Sequence, residues 1–305
     1  MLSNAIDSVS NQNHTNIELI VVNDGGCNIE FIVESKAGPA ISRKETISFD
    51  SNQGRSVAAN AGLDASTGEF ILFLDDDDWI DKDHIENLLN ILVKNKKCRV
   101  AYSATQCVEL VDGSWKATSL FDFEYDHARL LIENYIPIHS VLFSRELLEA
   151  GCRFDTDFDR MEDWDFWLQV SGHTDFCVLD KISAYYRVST RSGFGSKDGD
   201  EVGIKYREMI YRKWSLLWST TELLDVLDRA RSYPEMDHLQ RLIDARSHDL
   251  KVREEQLGEQ MNARAQQALD LQEQLDNLNA DWEQTARETA RDAQLVYIRQ
   301  IANLQ

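Results

Sequence analysis

The sequence predicts an α/β fold with a mostly parallel sheet, followed by a long helical tail. Two apolar runs, Ile17 to Val22 (IELIVV) and Phe70 to Leu74 (FILFL), are short and bounded by polar residues, as strands buried on both faces of a parallel sheet are. Between them, Asn52-Gln53-Gly54-Arg55 opens a helix through Ala58, Ala59 and Leu63 that Thr67-Gly68 closes. Strand, helix, strand implies a right-handed parallel crossover. From Met236 onward there is no proline, and Gln, Glu, Asp and Arg surround apolar residues at three-four spacing.

In chain order, Leu2, Ala5, Ile6 and Val9 predict an opening amphipathic helix. The first apolar run ends in Asn23-Asp24-Gly25-Gly26, a turn that leaves a carboxylate at the C-terminal edge of the strand. Ile29 to Val33 and Thr46 to Phe49 are further short strand candidates. Ile85, Leu88, Leu89 and Leu92 predict a helix, Val100 to Val108 a strand, and Val111-Asp112-Gly113-Ser114 a hairpin turn. His139 lies in the apolar stretch Ile136 to Phe143, where a lone histidine suits the core better than a ligand role. Met161 to Val170 reads as a helix with Glu162, Asp163 and Asp165 in its first turn, where the helix dipole tolerates acids. Cys177 to Val188 adds strand, and Gly203 to Arg231 one long helix packed on the same core. Its Tyr211, Arg212, Lys213, Trp214 and Trp218 also suit peripheral contact with a membrane surface. The domain boundary falls there: residues 1–231 form the α/β domain and residues 232–305 a coiled coil. The coiled-coil seam runs through Leu250, Leu257, Met261, Ala268, Leu271, Leu275, Leu278 and Trp282 and predicts self-association.

Composition narrows the function. With 305 residues and 43% hydrophobic content, the chain can bury one large core or two modest ones. A formal charge of −21 argues against nucleic acid as a partner, because phosphate backbones are held by basic surface. The five cysteines are scattered and free of CxxC spacing, which predicts unpaired thiols in a reducing cytoplasm. No apolar run approaches the roughly 18 residues of a membrane span.

The chemistry concentrates where Phe70 to Leu74 runs into Asp75, Asp76, Asp77 and Asp78. Ligands of open α/β sheets bind beyond the C-terminal strand ends. Four adjacent carboxylates repel one another, and two readings fit: a solvated acidic turn before the next helix, or an oxygen-only site for Mg²⁺ or Mn²⁺.

Taken together, IELIVVNDGG, NQGRSVAANAGLDASTGEFILFLDDDDWI and MEDWDFWL resemble, in order and spacing, the family-2 glycosyltransferases of the GT-A fold, over roughly Leu2 to Arg191. The resemblance implies an inverting transfer of a sugar from a nucleotide-diphosphate donor, commonly a UDP-sugar, with a divalent metal on the diphosphate. It implies that Asp24 bonds the base, that Asp75 and Asp77 form the DxD pattern with Asp77 on the metal, and that Asp163 of the Glu162–Asp163 pair is the general base. Asn23, Asp76 and Arg55 complete the donor-binding candidates, and Trp164 and Asp165 are the acceptor candidates. The acceptor is a glycan, a lipid-linked glycan or a protein. Three departures stand out: no strand precedes the helix at Leu2, Ala59 replaces a common arginine, and Ser189 stands where a histidine is frequent. The domain thus reads as N-terminally truncated relative to the family, leaving Ile17–Val22 and Phe70–Leu74 each short of one partner strand. The competing function is a catalytically silent scaffold acting through its coiled coil.

Overall fold

A computed structural model describes residues 1–36, 38–188, 201–230 and 258. Helix α1 (Leu2–Ser10) buries Ala5, Ile6 and Val9, the apolar face that the sequence predicts. Strand β1 (Ile17–Asn23) follows. The next candidate strand is instead helical, α2 (Glu30–Ser35). There the Glu30 amide donates to Asn28 Oδ1 at 2.9 Å, which starts a turn, and Val33 is the residue that this helix buries. Strand β2 (Ile41–Ser48) begins ahead of the predicted Thr46, and α3 (Arg55–Ala65) and β3 (Phe70–Leu72) follow in the predicted order, but β1 and β3 fall in different sheets among the described residues, and the parallel partner of β1 is β2.

Beyond the acidic run come β4 (Trp79–Ile80) and α4 (His84–Lys94), which buries Ile85, Leu88 and Leu92. Strands β5 (Val100–Val111) and β6 (Ser114–Phe121) form the predicted hairpin, with φ of 52° at Asp112 and 77° at Gly113, the positive pair that such a turn requires. Then follow α5 (His127–Ile132), a 3-10 turn at Ile138–Ser140, β7 (Val141–Ser144), α6 (Glu146–Glu149), α7 (Glu162–Ser171) and β8 (Phe176–Arg187).

The pairing is mixed rather than mostly parallel. Strands β1 and β2 form a parallel two-stranded sheet, and a second sheet has the order β3-β7-β5-β8-β4, with β6 on β5. Among the described residues, only β5–β8 is parallel in that second sheet; β3–β7, β5–β7, β4–β8 and β5–β6 are antiparallel. A two-residue turn allows β6 no other direction. Among the described residues, strands β1 and β3 do not pair with each other, and each is the last strand of its sheet.

The helix predicted from Gly203 to Arg231 is broken into α8 (Glu201–Trp214) and α9 (Thr220–Ala230). Ser219 starts the second helix. Its hydroxyl accepts from the Glu222 amide at 3.2 Å, while Glu222 accepts from the Ser219 amide at 2.7 Å, a capping box that begins a new helix. Of the α8 aromatics and bases, Tyr211 Oη donates to Ile132 O at 2.5 Å, while Trp214 Nε1 and Lys213 Nζ donate to Asp165 at 2.8 and 3.0 Å; Arg212 is exposed. No described helix is long and apolar enough to cross a membrane.

The expectation of five unpaired thiols is also corrected. Cys98 and Cys177 form a disulfide, with Cα atoms 5.9 Å apart, and Cys27, Cys107 and Cys152 are free. Parallel pairing sets Val100 against Phe176 and Ala101 against Cys177, which brings Cys98 beside its partner across 79 positions. No local spacing could reveal that pairing, and the cysteines no longer argue for a reducing compartment. Ser189 and the coiled-coil seam residues from Leu250 to Trp282 lie outside the described residues.

Candidate active site

Helix α3 is placed by the end of β1. Asp24 Oδ1 accepts the Gln53 amide at 2.6 Å and Oδ2 the Gly54 amide at 3.0 Å, so one carboxylate holds two donors at the start of α3. Gly25 allows the approach. Its φ is +75°, and a Cβ there would meet the Asn52 amide nitrogen at 2.4 Å. Asn23 shapes the same turn: its side chain accepts from the Gly26 amide at 2.9 Å and donates to Cys27 O at 2.8 Å.

Arg55, the first residue of α3, joins the second and third of the three sequence blocks. Its Nη2 lies 2.9 Å from Asp75 Oδ2 and its Nη1 3.3 Å from Glu162 Oε1. Asp75, then Glu162 and Asp163, hold the guanidinium firmly charged. Glu162 is buried, and burial together with the neighbouring Asp163 charge pushes its carboxyl up to about 7. Burial raises Asp163 as well, against hydrogen bonds from Asn134 Nδ2 at 2.8 Å and the Trp164 amide at 2.9 Å. Met161, which precedes the pair, has φ of 61°, a strained left-handed conformation for a side-chain-bearing residue. Neither that strain nor the Asn134 contact carries a signal in the sequence.

In the acidic run, Asp75, Asp77 and Asp78 each offer one carboxylate oxygen, and these oxygens lie within 4.8 Å of one another. Burial first, then repulsion from Asp78, Asp75 and Asp76, pushes the Asp77 carboxyl up, and a divalent cation would relieve that repulsion. The oxygen-only donor set fits Mg²⁺ or Mn²⁺. Asp76 is exposed. Asp78 is buried, accepts the Arg187 amide at 2.8 Å and lies 3.1 Å from His139 Nδ1. The core histidine of the apolar run therefore also lies against the acidic turn.

The chain is similar to known proteins. The profile described as Glycosyl transferase family 2 matches residues 1–151. An uncharacterized glycosyltransferase of Haemophilus influenzae is 30% identical over 198 residues, covering 64% of this chain and 77% of its own length. The chain belongs to glycosyl transferase family 2. The uncharacterized glycosyltransferase YwdF of Bacillus subtilis is 26% identical over 219 residues, covering 69% of this chain and 77% of YwdF. Among solved structures, S. aureus TarS in complex with UDP-GlcNAc superposes with a TM-score of 0.58 at 18% identity, over 77% of this chain and 70% of that one. The shared fold is the GT-A type.

In this family 2 glycosyltransferase, α3 and the acidic run lie inside the matched span, whereas Glu162 and Asp163 lie beyond it. Two expected acceptor residues, Trp164 and Asp165, are buried. Trp164 is 2% exposed and donates from Nε1 to Leu130 O at 2.7 Å. Asp165 is fully buried and accepts from Trp214 Nε1 at 2.8 Å and Lys213 Nζ at 3.0 Å. Both tie α7 to its neighbours. The apolar face of a helix at this spacing is core, and Asp165 enters it because α8 brings its partners.

Proposed function

We propose that the chain transfers a sugar, with inversion, from a nucleotide-diphosphate donor such as a UDP-sugar to a hydroxyl of a glycan, lipid-linked glycan or protein. The observation that carries this reading is the Arg55 bridge, which draws the acidic strand end at Asp75 and the carboxyl pair at Glu162–Asp163 to the start of one helix. Asp163 takes the proton of the acceptor hydroxyl as its oxygen attacks the anomeric carbon. The bond from that carbon to the diphosphate oxygen breaks, and the nucleoside diphosphate leaves with the electron pair. Asp77 and Asp75, with Asp78, would hold Mg²⁺ or Mn²⁺, which neutralises charge on the leaving diphosphate. Arg55 adds a fixed positive charge at the same rim. Asp24 keeps unused lone pairs for a base N–H while it positions α3. Residues 232–305 associate as a coiled coil and leave 1–231 as the transferase domain.

The experiment is calorimetric titration of UDP with and without Mn²⁺, followed by hydrolysis of UDP-sugars. Metal-dependent binding and slow hydrolysis are expected. Absence of both, in a folded chain, would favour the scaffold.

A further inference from the structure

Away from the carboxyl pair, a cleft of about 250 Å³ opens between α1 and the strands β4 and β6, lined by Asn4, Asp7, Ser8, Trp79 and Trp115. Its aromatic side is built across strands. Trp79 stacks on Tyr185, its cross-strand partner, with ring centres 5.5 Å apart and planes 10° apart. Trp115 leans on Trp79 at 5.0 Å with the planes 52° apart, and it stays 44% exposed although it is the largest side chain of β6. The opposite side is polar: Asn4 is exposed, with no side-chain partner among the described residues, and Asp7 and Ser8 are half-buried.

We propose that this cleft binds a neutral pyranose unit of a saccharide, apart from the donor site. A pyranose has weakly polar C–H faces that lie against an indole and an equatorial belt of hydroxyls that needs amide, carboxylate and hydroxyl partners. An aromatic wall facing Asn4, Asp7 and Ser8 offers that division. The volume falls below the roughly 300–1,000 Å³ of drug-sized pockets, which suits one ring. Aromatic walls with an acid also suit organic cations. Here both cationic positions are already filled: the Arg187 guanidinium lies 5.7 Å over the Trp115 ring, and Lys36 Nζ pairs with Asp7 at 2.6 Å. A neutral ligand needs no counter-ion, so the Lys36–Asp7 pair does not exclude it. The cleft also borders the acidic rim, since Trp79 follows Asp78, whose carboxylate accepts the Arg187 amide. A saccharide held there belongs to the acceptor or to the growing product.

The test is saturation-transfer NMR on the full chain with chitotriose, maltotriose and xylotriose as probes, and choline as the cationic control. Binding of at least one trisaccharide at millimolar concentration is expected. Trp115→Ala should weaken it roughly tenfold, the size of one aromatic contact, and leave UDP affinity unchanged. Asn4→Ala, on the exposed face of α1, serves as the second variant and should weaken binding without altering thermal unfolding. The proposal is overturned if no trisaccharide binds the wild type, if choline alone binds, or if both variants keep full affinity. Saccharide binding without UDP binding would retain this cleft and remove the donor reading instead.

Discussion

Arg55 Nη1 stands 3.3 Å from Glu162 Oε1, so the first residue of α3 lends positive charge to the carboxyl pair at the start of α7. That charge lowers Glu162 against the stronger upward push of burial, leaving it at about 7. Transfer requires the pair ionised, so kcat/KM should fall as pH drops below about 7. Arg55→Met removes the charge that favours ionisation and should move this acid limb to higher pH. A pH–rate profile checks it, and an unmoved limb would separate Arg55 from the base.

The same shift is a statement about stability. Glu162 rises from an ordinary 4.5 to about 7 on folding, so its contribution is fully present below 4.5 and is lost as pH climbs through 7. Glu162→Gln does not ionise. Its melting temperature relative to the parent should therefore increase between pH 4.5 and 7, and thermal unfolding at several pH values measures that difference.

Asp77→Asn should abolish the Mn²⁺-dependent part of UDP binding with little change in unfolding temperature. It removes one anionic ligand and also relieves the repulsion that raises Asp77. Calorimetry of UDP with Mn²⁺ reads the outcome, and unchanged affinity would take Asp77 out of the metal site.

Asp163→Asn should keep donor affinity and reduce transfer by roughly 10² to 10⁴, the usual effect of losing a positioned base. Comparing UDP calorimetry with single-turnover transfer divides chemistry from binding. Parallel loss of both would mean that the Asn134 and Trp164 amide contacts give Asp163 a structural task.

How much of this was legible in the sequence depends on distance along the chain. The strand-turn-acid grammar at Asp24 and at Asp75 is local, as are the hairpin at Asp112-Gly113 and the helix that carries Glu162 and Asp163. Contacts made by register are not. The Cys98–Cys177 disulfide follows from β5–β8 pairing, and the Asp78–His139 contact joins residues on different elements. Burial misled where two roles share one pattern: a tryptophan in an acidic helix suits stacking on a sugar, yet Trp164 packs inside, whereas Trp115, on a plain strand, is 44% exposed.

The most demanding expectation concerned Ile17–Val22 and Phe70–Leu74, each apolar enough for a central strand yet short of one neighbour. In the structure β1 pairs only with β2 and β3 only with β7 among the described residues, so each keeps one open edge. A buried donor or acceptor without a partner costs roughly 1–3 kcal/mol, and water reaching the edge avoids that cost. The exposure fits: every residue of β1 is half-buried, whereas Val100, Ala101 and Tyr102 of β5, held between β7 and β8, are buried. Amides of β1 that face away from β2 should therefore exchange with deuterium far faster than those of β5, and faster than the alternate β1 amides that donate to β2. Residue-resolved hydrogen exchange decides the matter. Uniform protection along β1, equal to that of β5, would mean that its second edge is covered and that the two sheets are joined in solution.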